Sequence, residues 1–319
     1  MLCEVDILGM PFYQLGWFAV TITAYFFNSF AVILDKFLLT QRIQRPSTYA
    51  FWVAIFGLGA IILAPFDFYV PPTSAVVNAF VSGTAFSIGL FFFYIAIQSG
   101  EASRVTPLIG ALSPISVFLL SRGILGETLS KGEFAAFAVL VLGSILISIT
   151  HKKDGSRVNN HDLKVFGWAV LASFLFGVTY VYEKAVFNEV SFINGFIWTR
   201  FGGFFGALPF LVFSYTRHDI FEAPRMVDRT TVWAFLTNKV AGAAGFFLLS
   251  FAISIGPSVS LINALQGVEY VLVFVMALFL SWARPSILEE EFTPLAVFEK
   301  TLAILLIAGG LALLAFFGR

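Results

Sequence analysis

Three ionisable side chains stand deep inside apolar runs: Arg200, Lys239 and Glu269. A charge at the centre of a membrane helix costs about 2.5–3.5 kcal/mol on insertion scales, and is kept mainly where it meets a substrate, an ion or another charge. Lys239 and Glu269 flank Gly256-Pro257, where a helical hairpin is expected to turn. The helical rise puts the two within roughly 5 Å of one depth, so they can pair. The chemistry this offers is a charged binding site. Lys239 or Arg200 would meet an anionic group, and Glu269 a cation or a proton. The structural alternative is an ion pair that only locks the hairpin. Glu269 is expected to carry substrate charge or energy coupling, because burial and a basic neighbour act on its proton in opposite directions.

Polar side chains gather around these charges at helical spacing. Asn263, Gln266, Glu269 and Tyr270 share one helix face. A second stripe, Gly110, Ser113 and Ser116, is expected to face it across a cavity. The large polar stripe suits the cavity. The small one suits close helix packing as well, and Ser113 is retained as a site candidate. Tyr25, Asn28, Tyr94 and Tyr180 complete the candidate lining, since a mid-helix tyrosine can both stack on and hydrogen-bond a substrate. Asp35-Lys36 and Glu183-Lys184 read as boundary residues that snorkel to headgroups. Pro107, Pro114 and Pro209 permit kinks, as hinges or as static bends. No metal-ligating or nucleophilic constellation accompanies them: His151, His161 and His218 lie in polar loops, Cys3 is the one cysteine, and no phosphate-binding glycine motif occurs. The expectation is therefore a protein that is not an enzyme, takes no cofactor or metal, and is driven by gradients or exchange.

The elements that must hold such residues are transmembrane helices. Of the 319 residues 59% are hydrophobic and only 12% charged, against about 25% charged in a soluble domain. A helix needs roughly 20 apolar residues to cross hydrocarbon. Ten stretches approach this: 15–35, 48–65, 74–97, 104–121, 133–150, 165–184, 192–215, 232–253, 258–282 and 299–316. The backbone must satisfy itself in lipid, so helices are expected throughout. Formal net charge is zero and gives no reason to expect nucleic acid as a partner.

The halves of the chain look related. GLFFFYIAIQSG (89–100) aligns with GFFLLSFAISIG (245–256), and Leu108-Ile109-Gly110-Ala111-Leu112 with Leu261-Ile262-Asn263-Ala264-Leu265. Gly16-Trp17 and Gly167-Trp168 open equivalent helices, which close on Asp35-Lys36 and Glu183-Lys184. The expected organisation is a first five-helix repeat (1–150), a polar connecting loop (151–164) and a second five-helix repeat (165–319). Five is odd, so the second repeat enters from the opposite side and is inverted. The fold class expected is an all-α integral membrane protein of ten transmembrane helices.

The run AIQSGEASRVTPLIGALSPISVFLLSRGILGETLSKGEF (96–134) resembles the signature segment of the EamA type within the drug/metabolite transporter superfamily. Leu112-Ser113-Pro114 and Leu125-Gly126-Glu127 carry the likeness, with FNSFAVILDKFLL (27–39) and FGVTYVYEKAVF (176–187) resembling the first and sixth helices of that family. The second half departs from it at SWARPSILEEEF (281–292). The resemblance implies ten helices, an inverted repeat, export or exchange of small metabolites, and cytoplasmic termini. Lys and Arg outside the helix centres concentrate on the side opposite the termini, which by the positive-inside rule puts the termini outside.

Together these features describe a multi-pass protein of the cell (inner) membrane. Its expected function is secondary transport, without ATP and by alternating access, of a small polar or amphipathic metabolite, amino-acid-like compounds first. Two alternatives stay open: a proton-coupled exporter of drugs or cationic compounds, and a non-transporting receptor or lipid-modifying protein. The expected partners are a small-molecule substrate, the bilayer and protons, in a monomer or homodimer.

Overall fold

The computed structural model describes residues 12–41, 45–99, 102–148, 160–212, 216–218, 220–221, 229–283 and 294–317. Most of the 151–164 loop and of the 281–292 segment lies outside these residues. The first half of the chain contributes α1 (Phe12–Gln41), α2 (Pro46–Gly57) with a 3₁₀ extension Leu58–Leu63, α3 (Thr73–Ser99), α4 (Ala102–Ile124) and α5 (Lys131–Ser148). Next come α6 (Asn160–Glu189) and α7 (Phe192–Ala207) with a 3₁₀ turn Leu208–Leu211. The chain closes with α8 (Arg229–Ile255), α9 (Val259–Ala264), α10 (Gly267–Ala283) and α11 (Pro294–Phe317). No strand occurs among the described residues.

Local chemistry sets the ends of these helices. Pro46 opens α2, where its missing N–H costs nothing. Gly126, at φ +67°, makes the turn after α4 that a side chain would strain. A capping box starts α5: Ser130 N–H donates to Glu133 Oε2 at 2.8 Å and Glu133 N–H to Ser130 Oγ at 3.3 Å. Pro209 lies in the 3₁₀ turn that ends the α-helical part of the seventh segment.

Among the described residues six helices are long and apolar enough to cross a membrane: Gly16–Asp35, Pro46–Leu63, Thr73–Ser99, Leu163–Glu189, Thr231–Ile255 and Val259–Met276. Leu108–Ile124 and Thr301–Leu314 are shorter apolar helices. Large apolar side chains such as Phe26, Leu119, Val240 and Phe316 face outward, an arrangement suited to lipid. The stretch 258–282, read above as one helix, is broken at Leu265–Gln266. There Gln266 N–H reaches back only to Asn263 O and Glu269 N–H only to Gln266 O, so the ladder tightens to 3₁₀ bonds for one turn.

The helices of the two halves interleave. α3 packs on α6 and α7, α1 on α8, α4 on α6, and α5 on α11. Glycines bring α3 and α7 into backbone contact: a Cβ on Gly83 would lie 2.2 Å from Gly203 N and Thr199 O. α1 contacts both α8 and α10, and so separates the two elements expected to form a hairpin.

Candidate functional site

The bundle holds a partly open cavity of about 640 Å³, within the ordinary range of small-molecule sites. α1 brings Asn28 and Asp35 to its wall, α3 brings Tyr94, α6 Tyr180, α7 Arg200, α8 Lys239, and α10 Glu269 and Tyr270, with Gln266 at the break before α10. The rest of the wall is aliphatic and aromatic apart from Ser87 and a few glycines. Eight of the eleven expected site residues thus line one cavity.

Its charges are organised as two ion pairs and one unpaired acid. Lys239 Nζ lies 3.0 Å from Asp35 Oδ1. The same carboxylate oxygen accepts from the Tyr49 hydroxyl and from the Asn238 amide, and Asn238 Nδ2 is 3.0 Å from the Tyr49 hydroxyl oxygen. The ammonium sits 4.4 Å from the Tyr49 ring centre and 5.9 Å from that of Tyr94, a distance at which the ring face attracts a cation. The expected Lys239–Glu269 pair is not formed. α1 intervenes and supplies Asp35 in its place.

Arg200 forms the second pair, 3.7 Å from Glu183 Oε1. Ser250 Oγ donates to the same carboxylate oxygen at 2.9 Å. The guanidinium is boxed by aromatic faces, 4.1 Å from Phe246 and 5.1 Å from both Phe86 and Phe196. Its Nε is buried and has no hydrogen-bond partner among the described residues.

Glu269 is 4% exposed. Gln266 Nε2 approaches its Oε2 at 3.5 Å, and it has no ion-pair partner among the described residues. A buried carboxyl without a counter-charge is costly. It has a ready use where a cation or proton arrives from outside the chain.

Three expected residues take other roles. The Tyr25 hydroxyl donates to Ile262 O at 3.0 Å, pinning α1 to α9. Ser113 Oγ donates to Asn263 Oδ1 at 3.1 Å, and both are buried. The two stripes do meet, but in direct contact: a Cβ on Gly110 would overlap the Tyr270 ring, and Ser116 packs at Gly177 of α6. The space expected between the stripes is filled by these contacts, so the cavity lies beside Gln266, Glu269 and Tyr270.

Two important residues were misread as boundary groups. Asp35 and Glu183 are buried, because α1 runs on to Gln41 and α6 to Glu189, so both carboxylates lie more than a turn inside. Lys184 does not snorkel either. Its Nζ donates to Ile253 O and Gly256 O, each at 2.9 Å, and so caps the carbonyl end of α8. The Lys36 side chain lies outside the described set. The signal available in the sequence was the recurrence of an acid–lysine doublet at equivalent points of the two halves. Tyr49 and Asn238 carried no such signal.

Residues 15–149 match the model of the EamA-like transporter family. Among curated proteins no sequence matches at a significant level. Among solved structures, one described only as the crystal structure of a protein shares the fold, with a TM-score of 0.63 at 16% identity. That likeness covers 96% of this chain and 99% of the other.

Proposed function

We propose that this multi-pass membrane protein is a secondary transporter of a small polar or amphipathic metabolite, a reading supported by the match of residues 15–149 to the EamA-like transporter family, which belongs to the drug/metabolite transporter superfamily. Amino-acid-like compounds come first. The observation that carries this reading is Glu269, buried without an ionic partner on the wall of a cavity of about 640 Å³ that Arg200 and Lys239 also line. An amine would satisfy Glu269, and a carboxylate could be drawn to the positive charge of Arg200 or Lys239. The cell (inner) membrane is the proposed location.

Alternating access through two inverted five-helix repeats is part of the proposal. The exchanged packing of α1 on α8 and α6 on α3 supports it, because α6 corresponds to α1 and α8 to α3 in the repeat alignment. The break at Leu265–Gln266 supports it too, since discontinuous helices recur at the substrate sites of secondary transporters. One observation favours a second reading, proton-coupled export of a cationic compound: the unpaired acid faces the cavity while both bases there already have carboxylate partners.

Counterflow in liposomes tests the proposal. Protein preloaded with unlabelled amino acids should accumulate labelled substrate saturably, and Glu269→Gln should abolish this. Counterflow of organic cations alone, driven by a pH gradient, would select the second reading. Absence of counterflow for amino acids, organic cations and other small metabolites would overturn transport.

A further inference from the structure

The wall of the cavity is not closed to the side. Phe56, Gly59 and Ile62, from the end of α2 and its 3₁₀ extension, line the cavity and are themselves exposed. Ala243, on the facing α8, does the same. Their depth matters. Ala243 is central in the span Thr231–Ile255, and Phe56 and Gly59 lie inside the span Pro46–Leu63. What surrounds the bundle there is hydrocarbon.

Contact between α2 and α8 gathers at the Tyr49 end, where Tyr49 meets Phe235, Asn238 and Lys239, and continues to Phe56, whose ring centre lies 5.9 Å from that of Phe235. Small residues, Gly59, Gly242 and Ala243, stand beside Phe56 and Ile62 at the gap. A Cβ on Gly59 would meet nothing within 4 Å, and one on Gly242 only the Ala31 methyl at 3.6 Å. An apolar, small-residue opening therefore runs from the acyl-chain region to the chamber that holds Glu269.

We infer that this gap is a lateral portal, and that the substrate is an amphipathic amine whose apolar arm lies in the gap while its nitrogen meets Glu269. Lipid facing the gap can donate an acyl chain to it, but only a molecule with a cationic end also satisfies the unpaired acid further in. The inference rests on the proposed substrate site and adds to it a route of entry and a chain-length requirement. A purely polar metabolite would have no use for an apolar opening at mid-bilayer depth, where water does not reach it.

The test uses the full-length protein in lipid nanodiscs, with propylamine and decylamine as probes and thermal stabilisation as the readout. Wild-type protein should be stabilised by decylamine at concentrations at least ten-fold below those needed for propylamine. Gly59→Trp, which starts in open space, should erase the decylamine advantage and leave the propylamine response in place. Glu269→Gln should erase both responses. As an independent measurement, phosphatidylcholine carrying a mid-chain diazirine should label 56–62 and 239–247 on illumination, with decylamine and not propylamine protecting those segments. Equal potency of the two amines in wild type, or an undiminished decylamine advantage in Gly59→Trp, would overturn the portal. A chain-length effect that survives Glu269→Gln would point to lipid-like occupancy alone and would also overturn it. Failure of counterflow with the chain-length effect intact would remove the transport reading and leave the portal standing.

Discussion

Replacing Lys239 with Met separates the pairing seen here from the one the sequence suggests. At 3.0 Å from Asp35, and at an effective dielectric of about 20, the Coulomb attraction is roughly 5.5 kcal/mol. Desolvation of both groups offsets much of that, and loss of one partner from a buried pair typically costs about 3–5 kcal/mol. Tyr49 and Asn238 continue to donate to the Asp35 carboxylate after the substitution. The expected loss for Lys239→Met is therefore at the lower end, about 3 kcal/mol. Adding Asp35→Asn removes the stranded charge and should restore about 2 kcal/mol, the coupling a double-mutant cycle reads for contacting groups. The assay is reversible unfolding in mixed micelles of rising SDS fraction, followed by tryptophan fluorescence, for the wild type, both single variants and the double variant. Rescue of Lys239→Met by Glu269→Gln instead of Asp35→Asn would refute the pairing. A loss below about 1 kcal/mol for Lys239→Met would show that the pair is solvated and not buried.

Other substitutions probe different parts of the bundle. Glu269→Gln should change stability by less than about 1 kcal/mol in the same assay, since no ion pair is lost, while abolishing binding of amine substrates. Gly83→Leu should destabilise by about 3 kcal/mol or prevent folding, because its Cβ would already meet the α7 backbone at 2.2 Å. Lys184→Met should cost about 1 kcal/mol by uncapping α8, with Lys184→Arg recovering part of it. Arg200→Lys should weaken anionic-group binding more than it lowers stability, since an ammonium keeps the charge near Glu183 but loses the planar stacking on Phe246.

How far the molecule could be read from its sequence follows from the reach of each signal. Hydropathy located the helices, because burial in lipid demands long apolar runs whatever the fold. Periodicity grouped Asn263, Gln266, Glu269 and Tyr270; the last three share a wall of the cavity, while Asn263 is buried against Ser113. It could not say which helix would stand opposite. Pairing Lys239 with Glu269 assumed that helices adjacent in sequence pack together, and α1 occupies that position instead. The burial of Asp35 and Glu183 was hidden for a related reason: an acid followed by lysine near a helix end has the same composition whether the helix stops there or continues another turn. The break before α10 arises at Leu265-Gln266-Gly267, where one glycine is too weak a local signal to divide an otherwise apolar run.

The backbone seam between α3 and α7 at Gly83, Gly202 and Gly203 has a consequence for the chain cut in two. α1 and α3 have as principal partners α8, α6 and α7, all from the other half. Residues 12–148 produced alone would leave those faces unmatched, with glycine grooves open to lipid and Asp35 without its lysine. Such a fragment could regain its contacts only from a second polypeptide that supplies α6, α7 and α8. Co-expression of 1–155 with 156–319 should therefore yield a stable two-chain complex, whereas either piece by itself should be degraded.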